Sequence, residues 1–126
     1  MRTSGFLLPC CLVALLLGCG KALDEPVDPG QATEVLTTAF DAWKQGGAYG
    51  ELARRQPPIY FSEPEWESGK KLLKYEVGQV TLTGRQGRCS VRVTLQDSAG
   101  KVTERAIGYQ IDTTPKLVVT REALGP

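Results

Sequence analysis

The chain has 126 residues, 41% of them apolar, with 15 Lys and Arg against 14 Asp and Glu and no histidine. That length supports one core and excludes a second domain, and the near-neutral charge favours neither nucleic acid nor an anionic lipid surface. The lack of histidine removes Ser-His and Cys-His nucleophiles, imidazole acid/base chemistry and nearly every catalytic zinc arrangement.

The N-terminus has the layout of an export signal. Arg2 supplies a positive charge, and from Gly5 to Leu17 the run is apolar apart from small residues, Cys10 and Cys11. Lys21 ends it short of the roughly 20 apolar residues that a spanning helix needs. The close of the run, Leu16-Leu17-Gly18-Cys19, resembles the lipobox of bacterial lipoproteins. That resemblance implies cleavage before Cys19 and a lipid on its sulfur. Residues 1–18 are therefore expected to be a lipoprotein signal peptide, Cys19 the lipid-attachment site and 19–27 a solvated, Pro- and charge-bearing tether. The implied location is the cell envelope, at the outer membrane or the periplasmic face, with the membrane a partner through the N-terminal lipid. Cys10 and Cys11 leave with the leader, so Cys89 is the one remaining thiol, expected to be buried and inert.

Residues 28–126 read as a single α+β domain. Asp28-Pro29-Gly30-Gln31 is a helix start, with Asp28 as N-cap, Pro29 at the first position and Gln31 closing a capping box. Val35, Leu36, Ala39, Phe40 and Trp43 then form one apolar stripe up to about Gln45, while Glu34, Thr37, Asp41 and Lys44 face away. A shorter helical stretch is expected over Ala48 to Arg55, ended by Pro57-Pro58. Ile59 to Phe61 reads as a brief strand, and Pro64 opens a helical turn that Gly69 ends. About four strands follow. In the first, Leu73, Tyr75 and Val77 point inward, and beyond Gly78 the parity switches to Val80 and Leu82, as a β-bulge produces. Cys89, Val91, Val93 and Leu95 alternate strictly with polar residues in the second. Asp97 to Gly100 is a hairpin loop, Ile107, Tyr109 and Ile111 point inward from the third, and the last runs from Lys116 to Arg121.

A long N-terminal helix laid on a curved antiparallel sheet resembles the NTF2-like and cystatin-like architectures, and the element order favours the former. Ala42-Trp43-Lys44-Gln45-Gly46, Pro57-Pro58-Ile59, Trp66-Glu67-Ser68-Gly69, Leu73-Lys74-Tyr75-Glu76-Val77, Tyr109-Gln110-Ile111 and Thr114-Pro115 resemble a group of short, uncharacterised lipoproteins of planctomycete-type bacteria, over about residues 33 to 121. The resemblance implies a fold and a compartment but no mechanism. Where that group often has Asp, this chain has Glu63, which points to a capping role before Pro64.

The inventory of chemistry is sparse. Trp43, Trp66, Tyr75, Arg105 and Tyr109 are the residues able to line a pocket for a carboxylate or phenolic ligand. Core packing is the competing reading for Trp43, and escape of the guanidinium to solvent for Arg105. Glu63, Glu65 and Glu67 lie too close together around Pro64 for a calcium loop and read as a solvated surface. No cofactor, metal site or catalytic residue is expected, and Arg85, Arg88 and Arg92 are too sparse for nucleic acid. The leading reading is a membrane-anchored, non-catalytic binding or interaction module for a protein or small molecule. Its rivals are an NTF2-like enzyme moving a proton between Tyr75 or Tyr109 and a carboxylate such as Asp112 or Glu76, and a cystatin-like inhibitor that wedges its hairpin loops into a target.

Overall fold

The computed structural model describes residues 26–122. The expected signal peptide, the expected lipid-attachment site Cys19 and most of the expected tether lie outside them. Val27, at the end of the expected tether, already belongs to the folded body: it is buried, and its amide donates to the Arg85 carbonyl at 3.0 Å.

The first helix, α1 (Pro29–Lys44), starts where its cap dictates. Asp28 is extended and its carboxylate accepts from the Gln31 amide at 2.9 Å, while Pro29 occupies a position whose N–H has no helical partner. Ala32, Val35, Leu36, Ala39, Phe40 and Trp43 are all buried along one stripe. Full burial of each large member contributes about 1.5–3 kcal/mol, more than helix propensity supplies. Gly46 then turns the chain at φ +86, a left-handed conformation that suits glycine, with its amide on the Trp43 carbonyl.

A 3-10 turn (Glu51–Arg54) buries Leu52 and leads to strand β1 (Ile59–Ser62). One helical turn, α2 (Pro64–Glu67), follows, then β2 (Lys71–Val77), β3 (Thr81–Thr83), β4 (Gln86–Gln96), β5 (Val102–Asp112) and β6 (Leu117–Arg121). The strands make one six-stranded mixed sheet in the order β1-β6-β5-β4-β2, with β3 also on β4. The β1–β6 pair is parallel and the other pairs are antiparallel. The architecture is α+β, with α1 covering one face.

The sheet differs from the expected four strands in two ways. Ile59–Ser62 is not an isolated strand but the sheet edge, paired in register with Leu117–Thr120. The first expected strand of the meander divides into β2 and β3, because Gly78, Gln79 and Val80 lie opposite only Cys89 and Ser90 of β4. The Gly78 amide donates to the Ser90 carbonyl at 2.9 Å, and a Cβ at Gly78 would stand 2.7 Å from that oxygen, so only glycine fits this approach. A second irregularity lies between Leu72 and Lys74 and overturns the inward placing of Leu73. Leu72 enters the core, whereas Leu73 is 42% exposed, since the extra residue reverses parity there. Leu82, expected inward, is likewise exposed, as are all three residues of short β3. The alternation on β4 and β5 is as expected: Cys89, Val91, Val93, Leu95, Ile107, Tyr109 and Ile111 are all buried.

Candidate functional site

Four of the five candidate pocket residues meet in or beside one aromatic cluster. Trp43 and Trp66 stack with centroids 5.7 Å apart and planes 12° from parallel. Phe40 contacts Trp43, Phe61, Tyr75 and Tyr109, and Phe61 contacts Trp66 and Tyr109. Both indoles have backbone acceptors, Trp43 Nε1 on the Lys70 carbonyl at 2.9 Å and Trp66 Nε1 on the Gly47 carbonyl at 3.1 Å. Each tryptophan thus fastens the loop next to it to the core as well as filling volume. Tyr75 is half-buried at the edge of the cluster. Its hydroxyl donates to Asp41 Oδ1 at 2.6 Å, so Asp41 does not simply face away as its helical position suggests. Arg105, the fifth residue, lies outside the cluster with part of its side chain in solvent.

Next to the cluster lies a polar network built on Glu63 and Glu65, two carboxylates expected on a solvated surface. Glu63 is 0% exposed. Its Oε1 caps α2 by accepting from the Glu65 amide at 2.8 Å, and its Oε2 accepts from the hydroxyl of Tyr109, which is also fully buried. Arg121 spans the two carboxylates, with Nη1 3.1 Å from Glu63 Oε1 and 3.0 Å from Glu65 Oε2. Lys70 and Arg105 complete the shell of Glu65 at 2.7 and 2.5 Å. The correction has a physical cause. Pro64 opens α2 so that Glu63 is buried and Glu65 half-buried against Arg105 of β5 and Arg121 of β6 while Glu67 faces water, and the side chain of Glu63 reaches Tyr109 in the core while still capping the turn. The capping role is present, and a second role is added to it.

The electrostatics mark this network as a structural tie. Burial opposes ionisation of Glu65, but hydrogen bonds from Lys70 and Arg121 and the charge of Arg105 outweigh it and hold the carboxyl at about 2. Burial, followed by the charge and hydrogen bond of Glu63, pushes the Tyr109 phenol well above its ordinary value. Burial alone would weaken the Arg121 cation, yet its hydrogen bonds and the carboxylate charges hold it still more firmly protonated. Burial and then Asp41 push Tyr75 up to about 12. Both Tyr75 and Tyr109 are thus moved away from the neutral range in which proton transfer is efficient. The two carboxylates named as bases stand elsewhere: Glu76 is exposed opposite Arg92, and Asp112 borders an open polar hollow with Thr113 and Thr114.

The concavity with binding character lies at the sheet edge. A mostly apolar cleft of about 240 Å³ is walled by Tyr49 and Leu52 of the 3-10 region, Ile59 and Tyr60 of β1, Trp66 of α2 and Val118 of β6. All four residues of β1 border it, although Ile59 and Phe61 point inward and Tyr60 and Ser62 outward. Residues of both parities can share one cleft only where it runs along the strand's edge. The Tyr49 hydroxyl accepts from the Glu63 amide at 3.4 Å, so the cleft wall is joined to the polar network below. Lys116 Nζ stands 5.5 Å over the Tyr60 ring. Of the expected pocket residues, Trp66 alone lines this cleft.

Sequence reasoning missed Tyr49, Glu63, Glu65 and Arg121. One signal was present: an inward-facing Tyr109 needs a partner for its hydroxyl, and a nearby carboxylate on a proline-fixed turn is a candidate. Among the described residues no group of three or more Cys, Asp and Glu side chains is arranged to hold a metal ion, and no helix is long and apolar enough to cross a membrane. Comparison with protein-family models and with curated proteins finds no match for the chain.

Proposed function

We propose that the protein is a bacterial envelope lipoprotein of the planctomycete type, anchored through Cys19, whose domain of NTF2-like architecture is a non-catalytic binding module. Cell-envelope placement rests on the signal-peptide pattern ending in Leu16-Leu17-Gly18-Cys19. The NTF2-like reading, preferred to a cystatin-like one, rests on the helical elements that precede the meander. The observation that carries the binding reading is the cleft along β1, an apolar concavity next to the sealed Tyr109–Glu63 pair. Proton transfer to a substrate needs a donor and a base that the substrate can reach, and this pair is fully buried.

The enzyme alternative has one supporting observation, the half-buried Tyr75–Asp41 pair, because Asp41 borders an open hollow with Gly46 and Arg55. The elevated Tyr75 phenol argues against its use as an acid.

Two measurements test the proposal. Mass spectrometry of the membrane fraction should find a mature chain that begins at acylated Cys19, and an uncleaved leader or free N-terminus contradicts the anchor. A photo-crosslinking residue placed at Tyr60 should trap a partner in native membranes, while one at exposed Lys74 should not. Equal trapping at both positions contradicts the cleft as the binding surface.

A further inference from the structure

Resting on the binding-module reading, we infer that the cleft takes one large apolar side chain from an extended, acidic peptide segment of a partner protein, and that this segment pairs main chain to main chain with the outer edge of β1. Size narrows the occupant first. Sites for drug-sized ligands run to about 300–1,000 Å³ and enclose most of the molecule. A cleft of about 240 Å³ open along one side is smaller and matches a single anchor residue, the unit that dominates protein interfaces. Its walls suit such an anchor: Tyr49 and Trp66 stand edge to face with centroids 5.6 Å apart, and Leu52 and Ile59 supply buried aliphatic surface.

Position gives the backbone part of the inference. β1 ends the strand order, and among the described residues no strand lies on its outer side. Its partner β6 satisfies one side of the ladder; the 3-10 turn packs beside β1 and walls the cleft, yet among the described residues no main-chain hydrogen bond joins the two. That leaves this side for strand addition, the mode in which main-chain pairing gives affinity and a flanking pocket gives specificity. Because the cleft follows the strand instead of sitting over one face, a peptide paired with β1 carries its side chains directly past the cleft mouth.

Charge selects the composition. Lys116 stands over Tyr60, and Arg54 follows the lining residue Ala53; both are exposed, and among the described residues neither has a carboxylate partner. Glu51, the closest carboxylate in sequence, is turned back to accept from the Ala48 amide. A segment with Asp or Glu beside its anchor supplies the missing counter-charge and gains in association rate.

The test pans the purified full-length chain, in mild detergent, against displayed random linear peptides, then measures the affinity of the enriched sequences as synthetic peptides. Enriched peptides should carry one large apolar residue with Asp or Glu within two positions. Ala53→Trp, which fills the cleft, and Tyr60→Ala, at a site 42% exposed where truncation spares the core, should each weaken binding about tenfold or more. Lys116→Glu should weaken it several-fold, with the difference shrinking at about 0.5 M salt. N-methylation of alternate peptide amides should abolish binding in one phase only. No enrichment, or unchanged affinity in Tyr60→Ala, overturns the inference. Indifference to N-methylation in both phases also overturns it, while leaving the binding module intact with a side-chain pocket alone. Self-association that Tyr60→Ala removes would overturn it in favour of a second copy as the occupant.

Discussion

The Tyr109 hydroxyl donates to the Glu63 carboxylate across 46 positions of sequence, and neither side chain reaches solvent. This bond joins the middle of the sheet to the one-turn helix α2, and Arg121 completes it from β6. A buried charge with its partners in place contributes little net stability, but removal of one partner leaves an unsatisfied group whose desolvation is no longer offset. Tyr109→Phe keeps the ring and deletes only the donor. It should cost about 2–3 kcal/mol in urea unfolding, read as a lower midpoint at unchanged slope. A loss near zero would show that Glu63 is satisfied without Tyr109.

Glu65 predicts an acid limb in the stability profile. Its carboxyl titrates at about 2 in the folded chain against an ordinary value of 4.5, so its contribution is complete above the unfolded value and is lost as pH falls through the folded one. Between pH 4.5 and 2 the wild type should therefore lose stability more steeply than Glu65→Gln, by an accumulated difference on the order of 2–3 kcal/mol. Parallel profiles for the two proteins would contradict the ion-pair network as drawn.

Cys89 should behave as an enclosed thiol. Its Sγ lies 3.3 Å from the Gly78 carbonyl and its side chain is buried beneath the β2–β3 irregularity, and burial pushes the thiol up despite that hydrogen bond. Labelling by a disulfide reagent at neutral pH should be slow and should accelerate with urea in step with global unfolding. Fast labelling without denaturant would mean that the Gly78 segment opens locally.

What the sequence made legible divides along physical lines. Period and capping act over a few residues, so α1, its buried stripe and the β4 and β5 alternation follow directly from spacing, and Asp28 and Pro29 place the helix start. The parallel union of β1 with β6 joins segments 58 positions apart and leaves no local mark in a four-residue run. Leu73 misled because Leu72-Leu73 offers two apolar residues, and only pairing with β4 decides which one turns inward. The acidic run at Glu63, Glu65 and Glu67 reads as a solvated surface because, besides the nearby Lys70, the cations of Glu63 and Glu65 are Arg105 and Arg121, which come from strands that only the fold brings to them. Composition shows that charges balance but not which of them meet.

Trp43 brings both kinds of information together, and its truncation separates packing from hydrogen bonding. Helical spacing places it with Ala39 and Phe40 on the buried stripe, and the fold adds what spacing cannot supply: the Trp66 ring stacked on one face, Phe61 edge-on at 6.5 Å, and the Lys70 carbonyl as acceptor for its indole nitrogen. At 2% exposure there is almost no water for the ring to lose, so Trp43→Ala removes a large volume that its neighbours refill only in part. The expected cost is about 3–5 kcal/mol, a large share of the stability of a small domain. Trp43→Phe keeps an aromatic ring and gives up the bond to Lys70, which is worth about 1 kcal/mol, plus a modest packing loss. The two variants should therefore differ clearly in urea midpoint at constant slope. The same bond holds the segment leading into β2, where the side chain of Lys70 reaches Glu65, so Trp43→Ala should also loosen that ion pair and flatten the acid limb predicted for Glu65. A cost below about 1 kcal/mol for Trp43→Ala, the range of mild surface substitutions, would contradict a closed aromatic core and place free space beside Trp43.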